Sequence, residues 1–288
     1  MEWIWLNGEM VPAQEATVSV MDHGFLYGVG LFETLRLYEG YPFLWRDHLE
    51  RLQVGLRRLR ITSPYQEEEW RQIIAKVSQQ NKQADGVIRI SVTGGAEGVG
   101  LSVSSYATPT TVVFMRPLPQ TDASLYKEGK WLQPLSLPRQ VPAGTESLKS
   151  HNYLNSVLAR QEVHDFPQVE GLMLTKEGWL AEGIVSNLFF VKDETVYTPT
   201  TDLGILPGVT RHFVLTLAQK IGYSVEEGAY GLSNLADADE IFITNSVVEI
   251  VPIAGVEGIG EFPVGPVTMK LRQHYQQWTM RLQSTHCL

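Results

Sequence analysis

The run Leu180-Ala181-Glu182-Gly183-Ile184-Val185-Ser186-Asn187-Leu188-Phe189-Phe190-Val191 limits the fold most. It is mostly apolar, so it reads as buried. Glu182 interrupts it. A carboxylate among Leu180, Ala181, Gly183, Ile184 and Val185 is expensive to bury unless it is paired. Its partner is either the cationic ring nitrogen of a ligand or an arginine in a structural ion pair.

A chain of 288 residues has room for one large domain or two medium ones, with a sizeable core. The net charge of −9 argues against non-specific nucleic-acid binding, which needs a basic surface, but not against an anionic ligand in a local pocket. Cys287 is the single cysteine, so no intrachain disulfide and no cysteine-based zinc site is expected, and no metal is assigned. Met1-Glu2-Trp3-Ile4-Trp5 lacks the basic head and long apolar run of a signal peptide, and no stretch has the length of a membrane span. A cytoplasmic protein is expected.

Apolar periodicity divides the rest. Asn7-Gly8 between apolar runs predicts a hairpin. Met21 to Gly30 reads as a glycine-rich aromatic loop, without the glycine spacing of a dinucleotide fingerprint. Strands are predicted over 32–38, 42–45 as its return, 86–93 and 110–116. Helices are predicted over 46–60, with Leu49, Leu52, Leu56 and Leu59 at helical spacing, and over 66–80. Gly94 to Gly100 reads as a mobile loop. The domains are set at 1–117, a linker over 118–129, and 130–288. The second opens with a strand over 131–137 and a helix over 152–163. Strands follow over 171–175, 196–198, 240–244 and 247–254. One helix opens near Leu206-Pro207-Gly208 and ends near Gly222, and another closes the chain over 269–283.

The second half carries the chemistry. Lys149, in Ser147-Leu148-Lys149-Ser150-His151-Asn152-Tyr153-Leu154-Asn155, is either a solvated surface charge or, shielded from water, an amine able to form a Schiff base with a carbonyl. Gly208-Val209-Thr210 enters a helix, where free N–H groups and the dipole receive a phosphate; the alternative is a plain helix start capped by threonine. Thr244-Asn245-Ser246 is a hydroxyl–amide–hydroxyl cluster at a strand end, suited to a phosphate or simply a polar turn. An amine for an aldehyde, a carboxylate for a ring nitrogen and hydroxyl-bearing loops for a phosphate together describe pyridoxal 5'-phosphate.

These motifs stand in one order along the chain: Leu148 to Asn155, Ala181-Glu182-Gly183 with Ser186-Asn187-Leu188-Phe189, Gly204 to Arg211, and Thr244-Asn245-Ser246 with Glu249-Ile250-Val251-Pro252. Asp22-His23-Gly24, Phe32-Glu33-Thr34 and His48-Leu49-Glu50-Arg51-Leu52 precede them. In this the chain resembles the fold-type IV pyridoxal-phosphate enzymes, which include branched-chain and D-amino acid aminotransferases and aminodeoxychorismate lyases. The resemblance implies an α/β (α+β) fold of two domains with the cofactor between them, and a homodimer. It implies that Lys149 is the Schiff-base lysine and Glu182 the partner of the pyridine nitrogen. Arg51 would reach the phosphate, with the N–H groups of Val209 and Thr210, Asn245 and Ser246 as the phosphate cup. Tyr153 would approach the ring hydroxyl.

Within the family the chain is similar to Bacillus-type 4-amino-4-deoxychorismate lyases, through Asp22 to Gly28, Phe32 to Gly40, Lys149-Ser150-His151 and Thr244 to Pro252. That implies release of 4-aminobenzoate and pyruvate from a small anionic substrate, with Lys149 moving the proton and Thr34 assisting near the substrate. Where D-amino acid aminotransferases carry an arginine and a histidine, this chain has Gly94-Gly95-Ala96-Glu97. Arg36, Arg89, Arg139 and Arg211 are the candidates for holding the substrate's carboxylates. The alternatives are an aminotransferase acting on D- or branched-chain amino acids, and a non-catalytic phosphate-binding domain.

Overall fold

The computed structural model describes residues 2–101, 104–120, 124–140, 144, 148–165 and 167–288. Ser147, in the lysine-bearing stretch, and part of the predicted linker lie outside them. The chain is α+β and divides into two compact units: Met1–Pro119 with Leu148–Asn152 and Thr279–Cys287, and Gln120–Ser147 with Tyr153–Trp278 and Leu288.

The first unit is built on a six-stranded antiparallel sheet. Its strands are β1 (Trp3–Leu6), β2 (Glu9–Pro12), β3 (Gly30–Tyr38), β4 (Tyr41–Pro42), β5 (Gly86–Thr93) and β6 (Thr110–Arg116), in the order β2-β1-β6-β5-β3-β4. The β1–β2 hairpin turns at Asn7 and Gly8, both at positive φ. Strand alternation sends Leu31, Leu35 and Leu37 of β3, and Ile88, Ile90 and Val92 of β5, to one face. They pack against α2 (Trp45–Arg58) through Leu49, Leu52 and Leu56, and against α3 (Glu67–Gln80) through Trp70, Ile73, Ile74 and Val77. Gly55 permits this close approach, since a Cβ there would lie 2.6 Å from Leu31 Cδ1. The expected return strand over 42–45 is shorter than predicted, because Trp45 already opens α2. The expected loop over 21–30 contains a short helix, α1 (His23–Tyr27), capped by Asp22.

The short β4 pairs only with Leu37 and Tyr38, so the first residues of β3 have an open edge. Leu148–Asn152 fills it: the Phe32 N–H donates to Lys149 O and the His151 N–H to Gly30 O, each at 2.9 Å. The C-terminal Thr279–Cys287 also returns to this unit. The Leu44 N–H donates to Leu282 O, and Asp47 accepts from the Thr285 N–H at 2.8 Å.

The second unit contains α4 (Leu125–Glu128), β7 (Lys130–Pro134), α5 (Leu154–Glu162), β8 (Val169–Leu174), β9 (Leu180–Gly183), β10 (Asn187–Lys192) and β11 (Thr195–Pro199). Next come α6 (Val209–Lys220), β12 (Ser224–Gly228), α7 (Leu232–Ala236), β13 (Glu240–Asn245), β14 (Glu249–Val256), β15 (Gly260–Glu261) and α8 (Pro266–Trp278). The nine-stranded sheet runs β12-β11-β10-β13-β14-β7-β8-β9, with β15 beside β14. It is mixed, since β12–β11, β14–β7 and β7–β8 are parallel pairs. Both faces of β10 are buried: Leu188 and Phe190 enter the cluster with Leu132, Leu172, Leu180 and Ile253, while Phe189 stacks on Phe242. The apolar run that reads as one stretch is therefore two strands, broken at Ile184–Ser186 where the chain changes neighbours.

Candidate active site

In the second unit, Glu182 lies on β9, whose four residues are all buried. Its Oε1 accepts from Arg139 Nε at 2.7 Å, and its Oε2 from Asn187 Nδ2 at 3.2 Å. The Leu206 N–H reaches both oxygens, at 3.2 and 3.1 Å. The carboxylate thus has the arginine that its burial calls for, together with an amide and a backbone donor. Asn187 takes part because the break at Ile184–Ser186 turns the start of β10 back toward β9.

The N-terminus of α6 follows Leu206 closely. Gly208 is its N-cap, and no side chain caps the helix among the described residues. A Cβ at Gly208 would fall 1.9 Å from Asn187 Oδ1, so any larger residue there would have to displace the Asn187 amide. Val209 and Thr210 open the helix, and Thr210 Oγ1 lies 3.2 Å from Ser246 Oγ. Asn245 Oδ1 accepts from the N–H groups of Val247 and Val248, at 2.8 and 3.0 Å. Asn245 therefore shapes the turn that presents Ser246. Thr244 Oγ1 beside it is buried, with no hydrogen-bond partner among the described residues. A helix start with no side-chain cap, next to paired hydroxyls, has the donor chemistry that a phosphate group requires.

In the first unit, Lys149 lies on the segment along β3, and its Nζ is 4.6 Å from the centroid of the Phe32 ring. The Arg89 guanidinium lies 3.7 Å from the same ring. Thr34 is opposite Arg89 in the β3–β5 register, two residues from Phe32 and on the same face. His151, on the Lys149 segment, is held below the ordinary imidazole range by burial and then by the charge of Arg89.

Arg51 faces the helix-covered side. It grips Glu33 with two parallel bonds, Nε to Oε1 and Nη2 to Oε2, both 2.8 Å, while His48 Nδ1 reaches Oε2 at 2.8 Å. Burial alone would raise the Glu33 carboxyl, but the charge and hydrogen bonds of Arg51 outweigh it, with His48 assisting, and hold it well below the usual carboxylate range. Burial lowers His48 below the ordinary imidazole range, while its hydrogen bond to Glu33 and the charge of that carboxylate oppose the shift.

Tyr153, expected near the ring hydroxyl, is the N-cap residue of α5 in the second unit. Of the arginines considered for substrate, Arg139 is bonded to Glu182, and Arg211 is bonded to Glu227 and to Pro199 O. Arg36 lies over the Tyr38 ring at 4.3 Å. Arg89 is the candidate that shares an aromatic surface with Lys149. Glu33, His48 and Asn187 stand within the motifs quoted above, but the sequence assigns them no role of their own. The His48–Arg51 spacing, three residues apart on one helix, was the signal available for the first cluster.

The amino-transferase class IV family matches residues 30–256. Aminodeoxychorismate lyase of Bacillus subtilis (strain 168) is 42% identical over 258 residues, which cover 89% of this chain and 87% of that one. The crystal structure of 4-amino-4-deoxychorismate lyase from Pseudomonas aeruginosa aligns with a TM-score of 0.86 and 34% identity, over 95% of this chain and 98% of that one. A T.th. branched-chain amino acid aminotransferase, solved with pyridoxamine 5'-phosphate, aligns with a TM-score of 0.88 and 30% identity, over 96% and 94%. The chain is a two-unit α+β enzyme fold of the fold-type IV kind, and it belongs to the amino-transferase class IV family.

Proposed function

We propose that this chain is a pyridoxal 5'-phosphate-dependent 4-amino-4-deoxychorismate lyase that releases 4-aminobenzoate and pyruvate in folate biosynthesis. The likeness to the Bacillus subtilis lyase, over 89% of the chain, carries the reading. Its support in the site is the pairing of Lys149 and Arg89 at the Phe32 ring, which offers an amine and a fixed cation to a dianionic cyclic substrate.

In this reading Lys149 is the Schiff-base lysine and Glu182 the acceptor for the pyridine N–H. The Val209 and Thr210 N–H groups, the Thr210 and Ser246 hydroxyls and Arg51 hold the phosphate, with Asn245 shaping the turn at Ser246. Tyr153 would approach the ring hydroxyl. When bound, the cofactor supplies an electron sink for the charge left by proton removal. Lys149 Nζ takes the proton from the substrate carbon that bears nitrogen. The carbon–oxygen bond then breaks, the substrate ring becomes aromatic, and Lys149 Nζ returns a proton to the methylene carbon of the departing enolpyruvate. Arg89 orients the substrate through a carboxylate, and Thr34 steadies it from the same sheet face. Because aromatisation drives the elimination, orientation and a correctly placed base are the main requirements.

The test is equal release of 4-aminobenzoate and pyruvate from aminodeoxychorismate, without a keto acid. Lys149→Ala should lower the rate at least about a thousandfold and abolish the borohydride-trapped cofactor adduct. No product from cofactor-loaded wild type would overturn the lyase reading.

A second reading, an aminotransferase of D- or branched-chain amino acids, is favoured by the likeness to the T.th. aminotransferase. It requires amino-acid-dependent conversion of the bound cofactor to its amine form, which the same preparation can report.

We also infer a homodimer. On α5, Leu154, Val157 and Leu158 are exposed at helical spacing, an apolar stripe suited to a second copy. Light scattering coupled to size exclusion should give twice the mass of 32.3 kDa; a monomer at micromolar concentration would refute it.

A further inference from the structure

We infer that Arg139 and Asn155 are positioning residues that set Glu182 for the cofactor's ring nitrogen. This rests on the pyridoxal-phosphate reading above. The Arg139 guanidinium is bonded at two points: Nε donates to Glu182 Oε1 at 2.7 Å and Nη1 to Gln140 O at 2.8 Å. Its backbone is fixed as well, through the Arg139 N–H to Leu174 O at 2.7 Å. Arg139 has a side-chain exposure of 21% and Glu182 of 8%, so this is not a solvated surface pair.

Asn155 holds the peptides on either side of Arg139. Its Nδ2 donates to Pro138 O and its Oδ1 accepts from the Gln140 N–H, both at 3.1 Å. An amide that brackets a residue in this way fixes where that residue's side chain begins. Asn155 closes the Lys149-to-Asn155 motif, and the proposed chemistry gives it no other task. Through Asn155 the backbone at Arg139 is set. Through Arg139 one carboxylate oxygen of Glu182 is set, while Asn187 orients the other and the Leu206 N–H bridges both.

The arrangement suits arginine and not lysine. The rigid guanidinium plane carries an N–H toward Glu182 and another toward Gln140 O at once, and a flexible ammonium does not reproduce both directions. A guanidinium bonded to a carboxylate also favours its charged form, the form that accepts a ring N–H.

The experiment titrates pyridoxal 5'-phosphate into the apoprotein by absorbance, with inorganic phosphate as competitor. Wild type, Arg139→Gln, Arg139→Lys and Asn155→Ala are compared. Arg139→Gln should weaken cofactor binding about tenfold, with the competition constant of inorganic phosphate unchanged, because Thr210 and Ser246 are untouched. Arg139→Lys should recover only part of the loss. Asn155→Ala, which removes no charge, should show a loss of about threefold in the same direction. Cofactor binding by folded Arg139→Gln as tight as wild type overturns the inference, as does an equal loss of phosphate affinity. If Arg139→Gln does not fold, unchanged binding by Asn155→Ala overturns it. Wild type that fails to bind the cofactor overturns the underlying functional reading instead.

Discussion

Glu33 in the first unit and Glu170 in the second are both buried sheet carboxylates with a basic side chain in electrostatic reach, yet they titrate in opposite directions. Glu33 is held far below the carboxylate range against its burial, through the charge and hydrogen bonds of Arg51. Glu170, on β8, is raised by burial, and the charge of Lys130 only partly offsets it. The difference lies in contact geometry. Arg51 delivers parallel N–H bonds to both oxygens of Glu33. Glu170 Oε1 takes weaker bonds from the Ser186 hydroxyl at 3.2 Å and the Val185 N–H at 3.4 Å. Burial sets the cost of a charge, and the partner's reach and rigidity decide whether the charge survives it.

The strongest way to break this comparison is Glu33→Gln. It leaves Arg51 and His48 facing a neutral amide in a buried cluster, which should cost about 3 kcal/mol in urea unfolding at neutral pH. The acid dependence checks the cause. A carboxyl lowered in the folded state contributes stability that is present above its unfolded pKa and lost as pH falls toward its folded value. The advantage of wild type over Glu33→Gln should therefore shrink as pH drops below about 4.5. A variant as stable as wild type, or an advantage unchanged between pH 5 and pH 3.5 (roughly the onset of the carboxyl's titration), would remove Arg51 as the source of the lowered pKa.

The same distinction between local and distant partners explains what the sequence could reveal. Gly86–Thr93 and Thr110–Arg116 were legible because alternation is a property of neighbours. The Asn7-Gly8 turn was legible because its backbone needs positive φ at both residues. Helix α1 was not, since five residues among glycines and aromatics form no periodic pattern. Contacts far along the chain hold that region: Thr93 donates to Asp22, and Tyr106 and Gly98 O meet the His23 ring. Strand β12 was missed because it is a polar edge strand, joined to β11 by backbone pairing rather than by an apolar face. In the candidate site, the apolar run predicted that Glu182 needs a partner. It could not choose Arg139, which is 43 residues away and arrives only through the path of β7 and the segment after it. Glu33 was hidden for a related reason: His48 and Arg51 mark one face of α2, but nothing local says which strand residue they meet.

The smallest effect, and the sharper test of the comparison, belongs to Glu170→Gln. The amide keeps an acceptor for Ser186 and Val185 but carries no charge to bury, so neutral-pH stability should change by no more than about 1 kcal/mol. The informative quantity is its slope with pH. For a carboxyl raised in the folded state, the burial cost is fully present above the folded pKa and disappears as pH falls to the unfolded value. Relative to wild type, Glu170→Gln should gain stability as pH rises from about 4.5 toward neutrality, as measured by urea midpoints. Wild type also gains on Glu33→Gln with rising pH, but in the acid range below. The two substitutions should thus show opposite slopes, although each removes one buried carboxylate. Lys130 is lowered chiefly by its own burial and is supported by Glu170, so the variant also weakens the case for a charged Lys130. That adds an offset without reversing the slope, because the ordinary lysine range lies far above that interval. A flat or inverted slope would mean that Lys130 holds Glu170 as firmly as Arg51 holds Glu33, and that the charge of a lysine can do the work of a bonded guanidinium.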